Sequence, residues 1–278
     1  MAIHRIDLAY DGTGFRGWAR NAGVRTVQEE LETALARVLG ETVTLSVAGR
    51  TDAGVHARHQ VASFPFEGSI DPEGLVRSLR TMLGPEVAIH SIGPAPEGFD
   101  ARFSAVRRSY RYFIDEGPSH DPLQARWVWH RGEPLDLEAM DRAAVAFVGA
   151  HDFASLCRAS DSGSSERTVE GARWDRSVVR RPSSVLATEV GSRQQAADAD
   201  GRRKTEDESL ADGGLLVFAV SARAFCHQMV RSMVALCVEV GRGRLAAEAV
   251  PGILEARDRN AARGVAPAHG LVLWGVEY

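Results

Sequence analysis

Between Thr26 and Gly40 the chain reads TVQEELETALARVLG, and this stretch restricts the fold more than any other. Thr26 and Glu29 have capping-box spacing with Glu29 reaching back, Val27, Leu31, Leu35 and Val38 recur on one face, and Gly40 stops the pattern. A helix with one apolar stripe must lay it on another layer. The flanking sequence offers strands for that layer, in the alternation of IHRIDLAY from Ile3, TVTLSVAG from Thr42 and HQVASFPF from His59. A short helix near Leu75 to Met82 and a strand near Val87 to Ile92 complete a βαββαβ-like unit with an antiparallel component.

A second half begins after Ala101 with the strand RSYRYFID. Its helices are expected from Leu137 to Val148, capped by Asp136 and ended by Gly149, and from Phe225 to Val240, ended by Gly241. The strands LLVFAVSA and LVLWGVEY complete it. The reading is an α+β fold, two related lobes sharing a curved, mainly antiparallel sheet with helices packed behind and a cleft between them. The lobes are placed at 1–106 and 107–278. Residues from about 180 to 213 are polar and free of aromatics, so they read as a mobile insertion between two strands.

Composition removes several classes of function. The N-terminus has no basic region followed by an apolar core, and no apolar run approaches a membrane span, so a soluble cytoplasmic protein is expected. Cys157, Cys226 and Cys237 have no metal-site or disulfide-framework spacing and read as small buried residues. Lys204 is the only lysine and falls in the expected insertion, which leaves phosphate contacts to arginine. The net charge is −4, yet Arg102 to Arg111 carries four arginines among Phe103 and Tyr110, and Arg223 to Arg244 carries four against one acid, Glu239. Such local basic patches suit a phosphate groove as well as they suit a solvated surface.

Two motifs invite a mistaken reading. Gly12, Gly14 and Gly17 in DGTGFRGW have dinucleotide-fingerprint spacing after a strand, but no helix opens at Gly17 to receive a pyrophosphate, so the fingerprint is rejected. His56 and His59 have no third ligand at metal-site spacing, and structural hydrogen bonding is the expectation. VAGRTDAGVHA, from Val47 to Ala57, is different: it carries Arg50 and Asp52 at the tip of a glycine-fenced turn. A carboxylate there can be a nucleophile or base held ionised by a guanidinium, or an ordinary turn residue bonded to its own backbone.

The ordered blocks resolve that choice through a resemblance. YDGTGFRGW from Tyr10, TVQEELETAL from Thr26, AGRTDAGVHA from Ala48, FDARFSAVRRSYRY from Phe99, LDLEAM from Leu135, GAHDFASL from Gly149, RTV from Arg167, FCHQMVRSMV from Phe225 and APAHGLVLWGVEY from Ala266 resemble the tRNA pseudouridine synthase A family through nearly the whole chain. The resemblance implies an isomerase that turns uridine into pseudouridine at positions 38, 39 and 40 of the tRNA anticodon stem-loop, without cofactor or metal, as a homodimer with the tRNA across both subunits. Asp52 matches the family's essential aspartate, acting on the ribose by adding to C1′ or by removing a ribose proton. Arg231 matches its ion-pairing partner, opposite the helix's apolar face and alongside His227. Tyr110 matches the tyrosine that stacks on uracil and takes the C5 proton, with Tyr112 a packing residue. Arg50 matches an arginine that assists base extrusion and holds the flipped nucleotide, and Leu271 an apolar wall of the uracil pocket. Ala19, Arg20 and Asn21 replace the usual glutamine-bearing stretch, and Arg223 and Ala224 replace Asn-Ser. The alternatives are a non-catalytic tRNA-binding or RNA-folding protein and a uracil-releasing glycosylase.

Overall fold

The computed structural model describes residues 2–158, 164–177, 214–262 and 264–278, so the expected insertion at 180–213 lies outside the described residues. In the first half, β1 (Ala2–Tyr10), α1 (Val27–Leu39), β2 (Ser46–Val47), β3 (His56–Phe66), α2 (Pro72–Leu83) and β4 (Val87–Pro94) follow the expected order. The second half has β5 (Arg107–Asp115), β6 (Trp129–His130), α3 (Leu137–Val145), β7 (Gly149–Asp152), β8 (Glu166–Arg176), β9 (Leu216–Ala222), α4 (Met229–Gly241), α5 (Val250–Glu255) and β10 (Leu271–Glu277). All these strands belong to one sheet in the order β4-β1-β3-β10-β5-β9-β8-β7, with β2 added to β3 and β6 to β5. Its pairs are antiparallel apart from β10 with β3 and β5 with β6. The α+β, mainly antiparallel architecture is therefore the one observed.

Strand alternation decides which face meets the helices. In β1, His4, Ile6, Leu8 and Tyr10 are buried while their neighbours are partly open, and Ile6, Leu8 and Tyr10 join Val27, Leu31, Ala34 and Leu35 of α1 and Leu75, Leu79 and Leu83 of α2 in the main core. Helices α3 and α4 pack on each other in the second half. A smaller cluster of Phe113, Val128, Leu215, Val217 and Val272 forms apart from this core. Among the described residues no helix is long and apolar enough to cross a membrane.

Local chemistry corrects several expectations. Thr26 caps α1 as predicted, accepting from the Glu29 amide, but the Glu29 carboxylate faces Arg20 at 3.6 Å instead of reaching back. Val38 is 41% exposed, and Ala34 takes its place in the stripe. The strand expected from Thr42 is hydrogen-bonded only at Ser46–Val47, because Leu45 N already donates to Glu32 Oε1. Strand β8 escapes the period-two test because its register slips between Val169 and Gly171.

Helix α4 begins at Met229, later than the expected Phe225. Gln228 sits in the left-handed region at φ 67°, and the residues before it are tied elsewhere. The Arg158 amide donates to His227 O, and Cys226 is bonded to Cys157 with Cα atoms 5.8 Å apart. That pairing corrects the expectation of separate small thiols: a separation of 69 residues carries no spacing signal. Cys237 is free and buried.

Candidate active site

The turn between β2 and β3 is held by its backbone from several directions, which leaves its charged side chains free for other work. Ala48 O accepts from Arg108 Nε at 2.9 Å and Nη2 at 2.7 Å, and Gly49 O accepts from Gln60 Nε2 at 2.7 Å. Thr51 Oγ1 lies 2.8 Å from the Tyr10 hydroxyl, and Thr51 O accepts from the Trp18 amide. Gly54, at φ 78°, turns the chain back into β3 while its amide donates to Phe15 O.

The glycines of DGTGFRGW have their explanation here. A Cβ on Gly12 would stand 2.1 Å from Val55 O, and one on Gly17 would stand 2.8 Å from Thr51 O. Gly17 also has φ 96°, where an L side chain is strained. The segment from Asp11 to Trp18 is a backbone cradle pressed against the turn, consistent with rejecting a nucleotide fingerprint.

On this scaffold the Asp52 carboxylate is engaged at both oxygens. Oδ2 lies 3.1 Å from Arg231 Nη1 and Oδ1 lies 3.2 Å from His227 Nε2. Arg231 is itself anchored, its Nε donating to Ala266 O at 2.7 Å, so the cation is in place before any ligand arrives. Both side chains of the ion pair are mostly enclosed, with exposures of 21% for Asp52 and 17% for Arg231. The guanidinium on Asp52 is thus supplied from 179 residues away, at Arg231. Arg50, two positions from Asp52, is exposed and makes no ion pair with it, which corrects the idea that the adjacent arginine holds the carboxylate ionised.

Tyr110 and Leu271 come from neighbouring strands. Tyr110 in β5 is 8% exposed, meets Phe225 edge-on at 5.1 Å, and places its hydroxyl 3.6 Å from the point a Gly49 Cβ would occupy. Burial, then the nearby Tyr10 and Asp52, push its phenol well above the ordinary range, so it is protonated at neutral pH. Tyr112 is fully enclosed and donates to Pro267 O, a packing role. Leu271, 5% exposed, stands opposite Tyr112 in the β10–β5 register, and the preceding Ala268 approaches Gly54 of the turn.

The basic patches separate into distinct roles. Arg108 is 8% exposed and gives five hydrogen bonds to four carbonyls, those of Ala48, Arg102, Ala105 and Arg223. Arg107 pairs with Glu170 and Glu277, Arg111 stacks on Trp274 at 4.0 Å, Arg242 pairs with Glu133 and Glu239, and Arg244 reaches Glu239. Within these two stretches the exposed arginines that make no salt bridge among the described residues are Arg102 and Arg223, and Arg50 of the turn is in the same condition. A groove made of every arginine in those stretches is therefore not what the fold builds. Sequence reasoning missed the Arg108 clamp, whose signal is only a strand arginine two positions from Tyr110.

His56 and His59 are spent on structure. His56 Nδ1 accepts from Gly12 N and its Nε2 donates to Arg126 O, while His59 Nε2 lies 2.8 Å from Asp7 Oδ1. Arg20 takes up Glu29 and Glu32, surface pairs of small energetic weight.

Comparison with known proteins shows the chain's family. The family model described as tRNA pseudouridine synthase matches residues 8–104 and 143–278. A protein of Frankia casuarinae named tRNA pseudouridine synthase A is 42% identical over 278 residues, covering 99% of this chain and 88% of that protein. Proteins of the same name from Bifidobacterium longum and Corynebacterium glutamicum are each 39% identical, covering 100% and 99% of this chain and 94% and 88% of their own lengths. Matches of this extent leave no second reading of the ancestry, and the chain belongs to the tRNA pseudouridine synthase family.

Proposed function

We propose that this isomerase of tRNA uridine acts at positions 38, 39 and 40 of the anticodon stem-loop, with Asp52, Tyr110 and Arg231 as its catalytic residues. The observation that carries the assignment is the Asp52 carboxylate, fixed by an anchored guanidinium at the tip of a backbone-braced turn. Isomerisation breaks the N1–C1′ bond, turns the uracil, joins C5 to C1′, releases the C5 proton and leaves a proton on N1. Addition of Asp52 to C1′ and removal of a ribose proton by Asp52 both need an ionised carboxylate, and Arg231 is the cation set against it. Tyr110, protonated and next to the turn, stacks on the uracil and takes the C5 proton as its own hydroxyl proton passes to solvent water. Leu271 walls the base, and Arg50, exposed and without a salt bridge among the described residues, holds the extruded nucleotide through its phosphate.

The two lobes at 1–106 and 107–278, a homodimer with tRNA across both subunits, and a cytoplasmic location belong to the same proposal. The test is tRNA carrying tritium at uridine C5. Wild-type chain is expected to release tritium to water without loss of base, and Asp52→Asn to bind the tRNA without releasing it. Free labelled uracil would indicate a glycosylase, and binding with neither product would indicate a non-catalytic protein. Either result overturns the assignment.

A further inference from the structure

The loop from Asp100 to Val106 combines a rigid backbone with an exposed aromatic side chain. Asp100 Oδ1 accepts from the amides of Arg102 at 2.7 Å and Phe103 at 2.9 Å, the Ser104 amide donates to Asp100 O, and Ser104 Oγ accepts from Asp100 N. From outside the loop, Ser63 Oγ accepts from Ala101 N, the Tyr278 hydroxyl donates to Ala101 O, and Val106 N donates to Glu277 O. On this braced backbone Phe103 is 74% exposed, with the Arg102 guanidinium 5.2 Å from its ring centroid.

Arg108 fixes where that ring stands. Its Nη2 donates both to Arg102 O at 2.6 Å and to Ala48 O at 2.7 Å, so a single nitrogen joins the residue before Phe103 to the turn that carries Asp52. Its Nη1 donates to Arg223 O, bringing in a second exposed arginine. An aromatic ring kept in water forgoes burial that a looser loop could recover by folding it inward. Here the loop is held so that it cannot.

Resting on the RNA-modifying function above, we propose that Phe103, with Arg102 over its ring, is a stacking platform for one unstacked nucleobase of the RNA, presented at fixed spacing from Asp52. A nucleobase offers a flat π-face to both Phe and guanidinium, and the phosphates beside it meet Arg50, Arg102 and Arg223, which have no carboxylate partners among the described residues. A protein partner would match the ring alone and leave those cations unanswered.

The experiment measures dissociation constants for a tRNA transcript with the wild-type chain, Phe103→Ala, Phe103→Leu and Phe103→Trp, at two salt concentrations. The exposed ring supports no core, so all variants should fold. Loss of one stacked base weakens binding about 5- to 150-fold. That loss is expected for Ala and Leu, by the same factor at both salts, with Trp at least as tight as wild type. Arg102→Ala should instead flatten the salt dependence by about one phosphate contact. Binding by Phe103→Ala within about twofold of wild type overturns the platform. Leu binding as tightly as Trp also overturns it, since that means apolar contact without stacking. A wild-type chain that neither binds tRNA nor releases tritium overturns the function itself and this inference with it, so the two failures are distinguishable.

Discussion

Gly17→Ala isolates the contact between the cradle and the catalytic turn. At φ 96° an alanine meets strain of about 1–2 kcal/mol for the left-handed backbone alone. Its Cβ would also lie 2.8 Å from Thr51 O and 3.2 Å from Ala53 N, both main-chain atoms flanking Asp52, so relief requires the turn or the cradle to move by about half an ångström. Together these cost about 2–4 kcal/mol, or roughly 5–15 °C in Tm for a chain of this size. A misplacement of 1 Å at a reacting group costs about a hundredfold, so a shift half as large is expected to slow single-turnover tritium release about tenfold. Gly23 provides the control: it has φ 79° with nothing within 4 Å of a Cβ, so Gly23→Ala bears the backbone strain without the clash. Its stability should fall by about 1–2 kcal/mol while turnover, measured well below both melting points, stays at the wild-type rate. Equal turnover in the two variants would refute the claim that the cradle sets the position of Asp52.

Arg231→Gln keeps a donor but removes the charge on Asp52 Oδ2, a charge-assisted bond worth about 1.5–3 kcal/mol, so turnover should fall about 10- to 150-fold with little change in tRNA affinity; an unaltered rate speaks against the ion pair. Tyr110→Phe deletes a hydroxyl with no hydrogen-bond partner among the described residues, so Tm should hold within about 1 °C while C5 tritium release is lost; full release removes Tyr110 from the proton path. Arg50→Ala, Arg102→Ala and Arg223→Ala should each lower the salt slope of tRNA binding by about one, read from log Kd against log salt. All four tyrosines, Tyr10, Tyr110, Tyr112 and Tyr278, have phenols raised by burial, Tyr10 to about 12. Above pH ~10 the unfolded chain therefore loses protons that the folded chain retains, and stability is present below that pH and lost as it rises, by about 2–3 kcal/mol for Tyr10 alone. Absorbance at about 295 nm should show tyrosinate appearing in step with unfolding; a gradual titration of a chain that stays folded contradicts it.

Much of this arrangement is legible in the sequence because it is local. The capped helix ending at Gly40, the alternation of β1 and β5 and the stop after α4 each depend on neighbours within a few residues. Asp52 and Arg231 were nominated by motif, and their meeting at 3.1 Å depends on a fold that no spacing encodes. What remained hidden depends on distant backbone atoms. With the phosphate fingerprint rejected, Gly12 and Gly17 have no visible role in the sequence until Val55 O and Thr51 O are placed against them. Arg108 looks like one more surface cation until four carbonyls converge on it. His227, expected on the helix, reaches Asp52 from the strap before it, because Gln228 breaks the helical path.

Strand β10 is seven residues long, and in the sheet it is the seam between β3 and β5. It is also translated after every other element described here. Until it emerges from the ribosome, the growing polypeptide carries two open strand edges, at β3 and β5, which invite pairing with the wrong neighbour. Synthesis itself thus delays assembly of the reaction centre until both flanking halves have been made. A premature stop ahead of Leu271 would release a molecule whose aspartate and tyrosine sit on sheets that no longer adjoin through a strand, however well each portion had folded.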